Sequence, residues 1–291
     1  MTANYFGIHV PSPLEFKEDA YFANAVKTLL GFLLPSFGVA PSSVARLWSI
    51  FENSRSIDHW VESAHAYLAP LLDEDQVRCS FEERASRIAA YVKPYLGQTL
   101  LDFGCGDGKI ANAVASSSRT SIQMTDVRYD DNLRYVPIPF TLFKEDQELP
   151  LPQGAFDSIL LVSVLHHCVD PLDTMREVRR LLAKGGNVLV IESVYDVDLT
   201  PAHLEDGQLG VESFLSLPPT KQLAANVFFE YLFHRIVTFP GEVHLPLSYL
   251  PMTSWVSWFA KLGWRAEMKP VGITHRAGPL FHCFYLLRSN Q

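Results

Sequence analysis

The segment Thr99–Ile110, TLLDFGCGDGKI, is the part of the chain that most restricts the possible folds. A short apolar run ends on Asp102, and Gly104, Gly106 and Gly108 follow before a helix-like pattern begins. Glycine is needed where the backbone takes a positive φ or approaches a ligand closely, because it has no Cβ. The segment therefore predicts a buried strand, a glycine turn and a helix start, which together form a nucleotide-binding corner.

The spacing of these glycines indicates which kind of nucleotide could bind. A dinucleotide turn has the spacing G-x-G-x-x-G, which lets a pyrophosphate sit on the helix N-terminus. This chain has G-x-G-x-G instead, and the third dinucleotide glycine would fall on Lys109. The Asp102 carboxylate would repel a pyrophosphate but suits a ligand that carries an ammonium group. An NAD(P) oxidoreductase is therefore disfavoured.

Residues 102–108, DFGCGDG, resemble the first motif of the class I S-adenosylmethionine-dependent methyltransferases, D/E-x-G-x-G-x-G. The resemblance continues through residues 143–171, FKEDQELPLPQGAFDSILLVSVLHHCVDP, and residues 176–192, REVRRLLAKGGNVLVIE. The three segments occur in the order that this family has. A Rossmann dehydrogenase does not account for the second segment, so the resemblance implies S-adenosylmethionine as cofactor and S-adenosylhomocysteine as product.

The resemblance also implies where the cofactor binds. Asp126, at the end of the second predicted strand, would accept hydrogen bonds from the ribose hydroxyls. Glu145 takes the position that contacts adenine, with Asp146 adjacent, and the choice between the two acids stays open. The full predicted set is Asp102, Phe103, Gly104, Cys105, Gly106, Asp126, Val127, Glu145, Asp146 and Ser163.

If the chain is a methyltransferase, its side chains have few chemical tasks, because the cofactor already carries a reactive methyl group. Alignment of the acceptor supplies much of the rate, and a general base is needed only where a proton must leave. His166 and His167 follow the fourth predicted strand, and a histidine can take a proton from a hydroxyl near neutral pH. We predict His166 as the base and His167 as a residue that holds the loop by hydrogen bonds.

A second polar group lies further along the chain. Gln222, Asn226, Glu230 and His234 are spaced four residues apart, so they form one stripe along a predicted helix. Two interpretations stay open. The stripe could be the solvated side of an otherwise aromatic helix, or it could face the acceptor, with Glu230 or His234 anchoring or deprotonating it.

Strand–helix alternation from Thr99 onward predicts an α/β fold. We expect a Rossmann-like, doubly wound and mostly parallel seven-stranded sheet, with an N-terminal helical cap over residues 1–95. The methyltransferase core would span 96–291, with a helical insertion over 194–250, before the last two strands, that forms the acceptor pocket. The predicted strands are Thr99–Phe103, Ser121–Thr125, Phe140–Phe143, Ser158–Val162, Asn187–Ile191, Trp264–Lys269 and Phe281–Leu287.

Composition indicates which binding partners and which cellular compartment suit the chain. The 291-residue chain has 24 basic and 32 acidic residues, and without a Lys/Arg cluster this balance disfavours nucleic acid. Its four cysteines lack C-x-x-C spacing, so we expect free thiols and no metal site. The apolar stretch Val26–Leu34 is shorter than the ~20 residues that span a bilayer. We therefore expect a cytoplasmic protein without membrane contact, and a possible homodimer.

The aromatic, weakly charged insertion suits an apolar or aromatic acceptor. We therefore predict transfer of a methyl group to a small molecule, with O-methylation of a secondary metabolite as the first choice. C- or N-methylation with the same fold and cofactor remains an alternative. So does a cyclisation or rearrangement in which the cofactor acts without methyl transfer.

Overall fold

The computed structural model describes residues 4–144, 147–197, 210–238, 243–270 and 277–289. Two compact units divide the chain, and each is formed from several segments. The first unit is Met1–Ser80, Ser193–Met252 and His275–Phe281, and the second is Phe81–Glu192, Thr253–Thr274 and His282–Gln291. The division into a cap over 1–95 and a core over 96–291 stays a prediction.

A seven-stranded sheet confirms the predicted α/β fold. Its strands are β1 (Thr99–Phe103), β2 (Ser121–Asp126), β3 (Phe140–Leu142), β4 (Phe156–Val162), β5 (Leu182–Ser193), β6 (Trp264–Pro270) and β7 (His282–Ser289). The strand order is β3-β2-β1-β4-β5-β7-β6. Strands β3, β2, β1, β4 and β5 pair in parallel, whereas β6 and β7 are antiparallel. From β1 the chain adds β2 and β3 on one side of the sheet, and it then continues with β4 and β5 on the other side. The switch point between β1 and β4 is where ligands bind in open α/β sheets.

The described helices account for the rest of the predicted pattern. They are α1 (Ala20–Leu33), α2 (Ser43–Glu52), α3 (Ile57–Leu68), α4 (Glu74–Val92), α5 (Lys109–Ser117), α6 (Pro171–Leu181), α7 (Val211–Leu215), α8 (Pro219–Tyr231), a π-helix (Leu232–Val237) and α9 (Met252–Lys261). Over the described ranges, none is both long and apolar enough to cross a bilayer.

The first turns of α1 and α4 are capped in the same way. Helix α4 begins at Glu74, because the Asp73 carboxylate accepts a hydrogen bond from Gln76 N at 3.0 Å. Likewise, α1 begins after Asp19, whose side chain accepts a hydrogen bond from Phe22 N at 2.9 Å. Both helices therefore start at an aspartate that satisfies a free N–H of the first turn.

The core of the second unit fixes the carboxyl ends of the central strands. Leu100, Leu160 and Leu189 of three neighbouring strands are fully buried in one cluster with Val92 and Phe284. Each buried leucine stabilises the fold by roughly 1.5–3 kcal/mol. Because β1, β4 and β5 are held rigidly, the loops that follow them start from fixed positions.

The first unit has an aromatic core. Phe228 of α8 stacks on Trp60 of α3, with ring centroids 4.6 Å apart, and contacts Phe51 of α2 edge-on at 5.1 Å. Trp48 lies beside Phe51 at 5.0 Å. The aromatic residues that make α8 unusual therefore pack α8 onto α2 and α3.

Candidate functional site

The glycine turn after β1 is held by β2 and by the loop after β4. Gly104 N and Cys105 N both donate to the Thr125 carbonyl, at 2.8 and 3.1 Å. Gly104 has a φ of 75°, and a Cβ there would lie 2.6 Å from a methyl group of Val164. Glycine is therefore required at position 104 for both its φ and its space.

Gly106 differs from Gly104, because a Cβ at Gly106 would enter open space. Its φ is 55°, and its N–H donates to Asp126 Oδ2 at 2.9 Å. The face of the turn at Gly106 is thus open to a ligand.

We expect Gly106→Ala to weaken binding of S-adenosylhomocysteine by about tenfold or more, because the added methyl group occupies this open space. Gly185→Ala is the matched control, since Gly185 has a φ of 81° and equally open surroundings. Both variants carry the same backbone cost of about 1–2 kcal/mol. Calorimetric titration checks the affinities, and equal affinity in both variants would contradict a cofactor at this turn.

Asp102 is the electrostatic centre of the turn. Its side chain is 2% exposed, and Oδ2 is buried with no hydrogen-bond partner among the described residues. Burial, and then the charges of Asp126 and Asp107, raise the pKa of Asp102 to about 7. A backbone hydrogen bond from Ala111 opposes this rise, and a ligand ammonium group beside Oδ2 would offset the cost of burying the carboxylate.

Asp126 ends β2 beside the same turn. Its Oδ2 accepts from Gly106 N, and its Oδ1 accepts from Arg128 N at 3.1 Å. Burial raises its pKa, and these two backbone hydrogen bonds oppose that rise. The next residue, Val127, is 47% exposed. The arrangement leaves Asp126 fixed by the backbone and Val127 open to a ligand.

Of the other predicted cofactor residues, Phe103 and Cys105 are buried beside the turn. Phe103 is 3% exposed and its ring packs edge-on against Phe143 at 5.3 Å, so only its backbone faces the turn. Cys105 is buried, and burial raises the pKa of its thiol. Glu145 and Asp146 lie outside the described residues.

Ser163 begins the loop after β4 in the left-handed region, with a φ of 57°. Its N–H donates to the Ile191 carbonyl at 2.7 Å, and Arg84 Nη2 lies 3.5 Å from its hydroxyl. A serine with positive φ is uncommon and persists only where neighbouring contacts impose it. The loop is therefore held in one specific conformation.

Glu192 holds this loop, and the sequence interpretation did not include it. Its Oε1 accepts from Val164 N at 3.0 Å and from Leu165 N at 2.7 Å, and its Oε2 bonds to His166 Nδ1. Both Glu192 and His166 are fully buried. The available signal was an acid directly after the apolar run of β5, whose carboxyl end lies beside that of β4.

The polar stripe of α8 lies within the first unit. Gln222, Asn226 and Glu230 are 3%, 0% and 3% exposed, so the interpretation as a solvated side is wrong for these three. Gln222 accepts from Val197 N at 3.3 Å, and Asn226 Nδ2 donates to the Val194 carbonyl at 3.1 Å. These two amides therefore fix the segment that follows β5.

The last two members of the stripe form a pair. Glu230 Oε2 lies 3.2 Å from Nε2 of His234, whose side chain is 29% exposed. Glu230 Oε1 accepts a hydrogen bond from the Tyr249 hydroxyl at 2.8 Å. The acceptor role predicted for Glu230 and His234 stays a prediction, and the distance between them is that of an ion pair.

Comparisons with known proteins identify a family. Residues 74–267 match the family described as the methyltransferase domain. The O-methyltransferase rstn1 of Aspergillus nomiae is 25% identical over 133 residues, 42% of this chain and 59% of the relative. The tRNA U34 carboxymethyltransferase of Alcanivorax borkumensis is 31% identical over 116 residues, 37% of this chain and 36% of the relative. The chain thus spans less than two thirds of either relative.

A solved structure shows the same fold. The match is to a complex of the Haloferax volcanii Trm112 methyltransferase activator with a methyltransferase, at 14% identity and a TM-score of 0.50. It covers 81% of this chain and 98% of that chain. Because the family match covers two thirds of its length, the chain belongs to the methyltransferase-domain family, and its fold is that of the class I S-adenosylmethionine-dependent methyltransferases.

Proposed function

We propose that the enzyme methylates a hydroxyl group of a small, largely apolar or aromatic metabolite. The buried Glu192 carboxylate orients His166 by a hydrogen bond, and the buried Glu230 carboxylate lies within ion-pair distance of His234. Such a pair suits the removal of a proton from a neutral hydroxyl, and this observation carries the proposal. The aligned segment of an O-methyltransferase, although it covers only part of that relative, supports the same acceptor atom.

Roles for the chain's residues follow from their positions. Asp102 would pair with the ammonium group of the cofactor, and Asp126 would accept hydrogen bonds from its ribose. S-adenosylmethionine supplies an electrophilic methyl group on a positively charged sulfonium. Ser163, Val127, Glu145 and Asp146 stay proposed binding residues, together with the backbone of Phe103, Gly104, Cys105 and Gly106.

His166 is the proposed general base, and Glu192 orients it. With Nδ1 bonded to a carboxylate, the proton-accepting nitrogen of the neutral ring is Nε2. Glu192 would also stabilise the imidazolium that proton transfer produces. Glu230 and His234 are proposed to anchor the acceptor.

We expect the purified enzyme and S-adenosylmethionine to convert phenols, but not the matched anilines, to products heavier by one CH₂. Mass spectrometry of the products and release of S-adenosylhomocysteine provide the measurement. His166→Gln should lower kcat by about 10²- to 10⁴-fold because the base is lost. Its affinity for S-adenosylhomocysteine should stay that of the wild type, and an unchanged kcat would exclude His166 as the base.

The same set of test substrates distinguishes O-methylation from the alternative reactions. Methylated anilines would indicate N-methylation, a methyl group on ring carbon would indicate C-methylation, and a product of unchanged mass would indicate cyclisation or rearrangement. Transfer RNA belongs in the panel because one relative acts on tRNA, although the net charge of −8 disfavours a nucleic-acid acceptor. A role in secondary metabolism, a cytoplasmic location and a homodimer stay proposals.

A further inference from the structure

Two charged side chains of α6, in the second unit, form a bidentate ion pair. Arg180 Nε donates to Glu177 Oε2 at 2.8 Å, and Arg180 Nη2 donates to Glu177 Oε1 at 2.5 Å. The Arg180 and Glu177 side chains are only 22% and 14% exposed. Arg176 and Asp173 form another ion pair on the same helix, but their side chains are mostly exposed. Partial burial and two parallel hydrogen bonds distinguish the Glu177–Arg180 pair from an ordinary surface ion pair.

The same pair binds the main chain of a segment that is distant in the sequence. Leu149 N donates to Glu177 Oε1 at 2.9 Å, and the Leu149 carbonyl accepts from Arg180 Nη2 at 2.8 Å. The Leu151 carbonyl accepts from Arg180 Nη1 at 2.9 Å. Gly154 N also donates to the Arg180 carbonyl at 2.9 Å. One ion pair therefore satisfies three backbone groups of the segment 149–151.

The sequence of this segment explains why it needs partners from elsewhere. Pro150 and Pro152 have no N–H, so the segment cannot form a regular ladder of hydrogen bonds with a neighbouring strand. Leu149 is buried, and a backbone group shielded from water still requires a partner. A guanidinium suits this task, because it presents several donors in one rigid plane, whereas the ammonium group of a lysine is a point charge.

The β3–β4 loop, which contains this segment, begins beside the proposed ribose site. Phe143 is its first residue, and the Phe143 N–H donates to the Asp126 carbonyl at 3.1 Å. The Phe143 ring also packs edge-on against Phe103, at the end of β1, with centroids 5.3 Å apart. Because Asp126 is the residue proposed to bind the ribose, the base joined to that ribose would lie next to the start of this loop.

The β3–β4 loop is therefore anchored at two points, the main chain of Asp126 and the Glu177–Arg180 pair. Between these anchors, Gln147 N donates to the Lys144 carbonyl at 3.0 Å. If the second anchor were lost, the cofactor would have to order the loop when it binds. The cost of ordering a loop is subtracted from the affinity, so a loop that is already held in place binds its ligand more tightly.

We propose that Glu177 and Arg180 are positioning residues for the adenosine half of S-adenosylmethionine. They do not contact the cofactor, but they hold the β3–β4 loop in the conformation that binds it. The proposal rests on the part of the proposed function that places the cofactor beside Asp102 and Asp126. It does not depend on which acceptor receives the methyl group.

Arg180→Lys tests the positioning role while it keeps the charge. The lysine can still pair with Glu177, but it cannot donate to two carbonyls and a carboxylate in one plane. We therefore expect calorimetry to show about tenfold weaker binding of S-adenosylhomocysteine. Arg176→Lys, the exposed arginine of α6, and Val178→Ala, which only removes buried volume from that helix, should keep the wild-type affinity. Wild-type affinity in folded Arg180→Lys would overturn the proposal.

Two ligands identify the half of the cofactor that is affected. S-adenosylhomocysteine and 5′-methylthioadenosine share the adenosine half, but only S-adenosylhomocysteine carries an ammonium group. Arg180→Lys should weaken both ligands by the same factor, whereas Asp102→Asn should weaken S-adenosylhomocysteine alone. If Arg180→Lys weakens S-adenosylhomocysteine but not 5′-methylthioadenosine, the assignment to the adenosine half is wrong. These titrations contain no acceptor, so a failure of hydroxyl methylation would leave their results unchanged, and an Asp102→Asn variant with unchanged affinities would contradict the proposed cofactor position instead.

Discussion

Asp102→Asn should make the ligand-free enzyme more stable at pH 8 and weaken cofactor binding by about 30-fold or more. The pKa of Asp102 is about 7, against 3.8 for an unperturbed aspartate. Above pH 7 the ionised side chain therefore destabilises the folded state by about 4 kcal/mol. The asparagine removes this penalty but leaves a buried amide without a partner, so we expect a net gain of about 2 kcal/mol in the free energy of unfolding. Urea unfolding of the variant and the wild type at pH 8 measures this difference in the free energy of unfolding.

The sign of the pH dependence follows from the same pKa. A carboxyl whose pKa is raised by folding binds more protons in the folded state, so its contribution to stability increases as the pH falls from 7 toward 3.8. The stability of Asp102→Asn relative to the wild type should therefore fall by about 3 kcal/mol between pH 8 and pH 5, so that a gain of about 2 kcal/mol at pH 8 becomes a loss of about 1 kcal/mol at pH 5. An advantage that does not change with pH would contradict a raised pKa.

Cofactor binding should respond in the opposite direction. Loss of one partner from a buried charge pair should weaken binding of S-adenosylhomocysteine by about 30-fold or more. In the wild type, binding requires ionised Asp102, so affinity should fall about tenfold per pH unit below pH 7. Calorimetry in buffers of different ionisation enthalpy should detect a proton released on binding at pH 6.

Asp157→Asn is the matched control for the Asp102 variant. Asp157 lies in the same sheet, but its Oδ2 accepts hydrogen bonds from Gln98 N, Thr99 N and the Thr99 hydroxyl, at 3.0, 3.1 and 3.1 Å. An aspartate with these donors is satisfied, so its replacement should lower stability at pH 8. Stabilisation by both variants would indicate a general effect of reduced net charge instead of a penalty specific to Asp102.

The sheet and the glycine turn could be predicted because their signals are local. An apolar run bounded by turn residues predicts a buried strand wherever it occurs, and the glycine spacing after β1 depends only on consecutive residues. Asp126 could be predicted for the same reason, since it ends a strand next to that turn. The glycine turn and Asp126 both lie within the single unit β1–α5–β2.

The acid–histidine pairs depend on residues that are distant in the sequence. Glu192 meets His166 only because β4 and β5 are neighbours in register, and Glu230 meets Tyr249, which lies 19 residues further along the chain. Helical spacing correctly placed Glu230 and His234 on one side of a helix, but spacing alone cannot show whether that side is buried. The π-helix after α8 has no periodicity in the sequence that would distinguish it from an α-helix.

Glu192→Ala should be among the most destabilising single substitutions in the second unit, with a loss of about 3–5 kcal/mol. It removes one acceptor from three donors at once, leaving Val164 N, Leu165 N and His166 Nδ1 buried without it. Glu267→Ala is the control, because the Glu267 side chain is half exposed and its ion pairs with Lys269 and Arg288 are long, at 3.7 and 3.8 Å. The control should change stability by less than about 1 kcal/mol.

Glu192→Gln separates the effect of Glu192 on stability from its effect on catalysis. Because the loop that begins at Ser163 depends on Glu192 for its conformation, Glu192→Gln should lose less stability than Glu192→Ala, as one oxygen can still accept from Val164 N and Leu165 N. Its amide, however, cannot hold a proton on His166 Nδ1 as a carboxylate does, so kcat should fall while cofactor affinity is largely kept. A double-mutant cycle with His166→Gln measures this dependence. If the two substitutions lower kcat additively, Glu192 does not act through His166; if the double variant is no slower than His166→Gln alone, the two residues act as one unit.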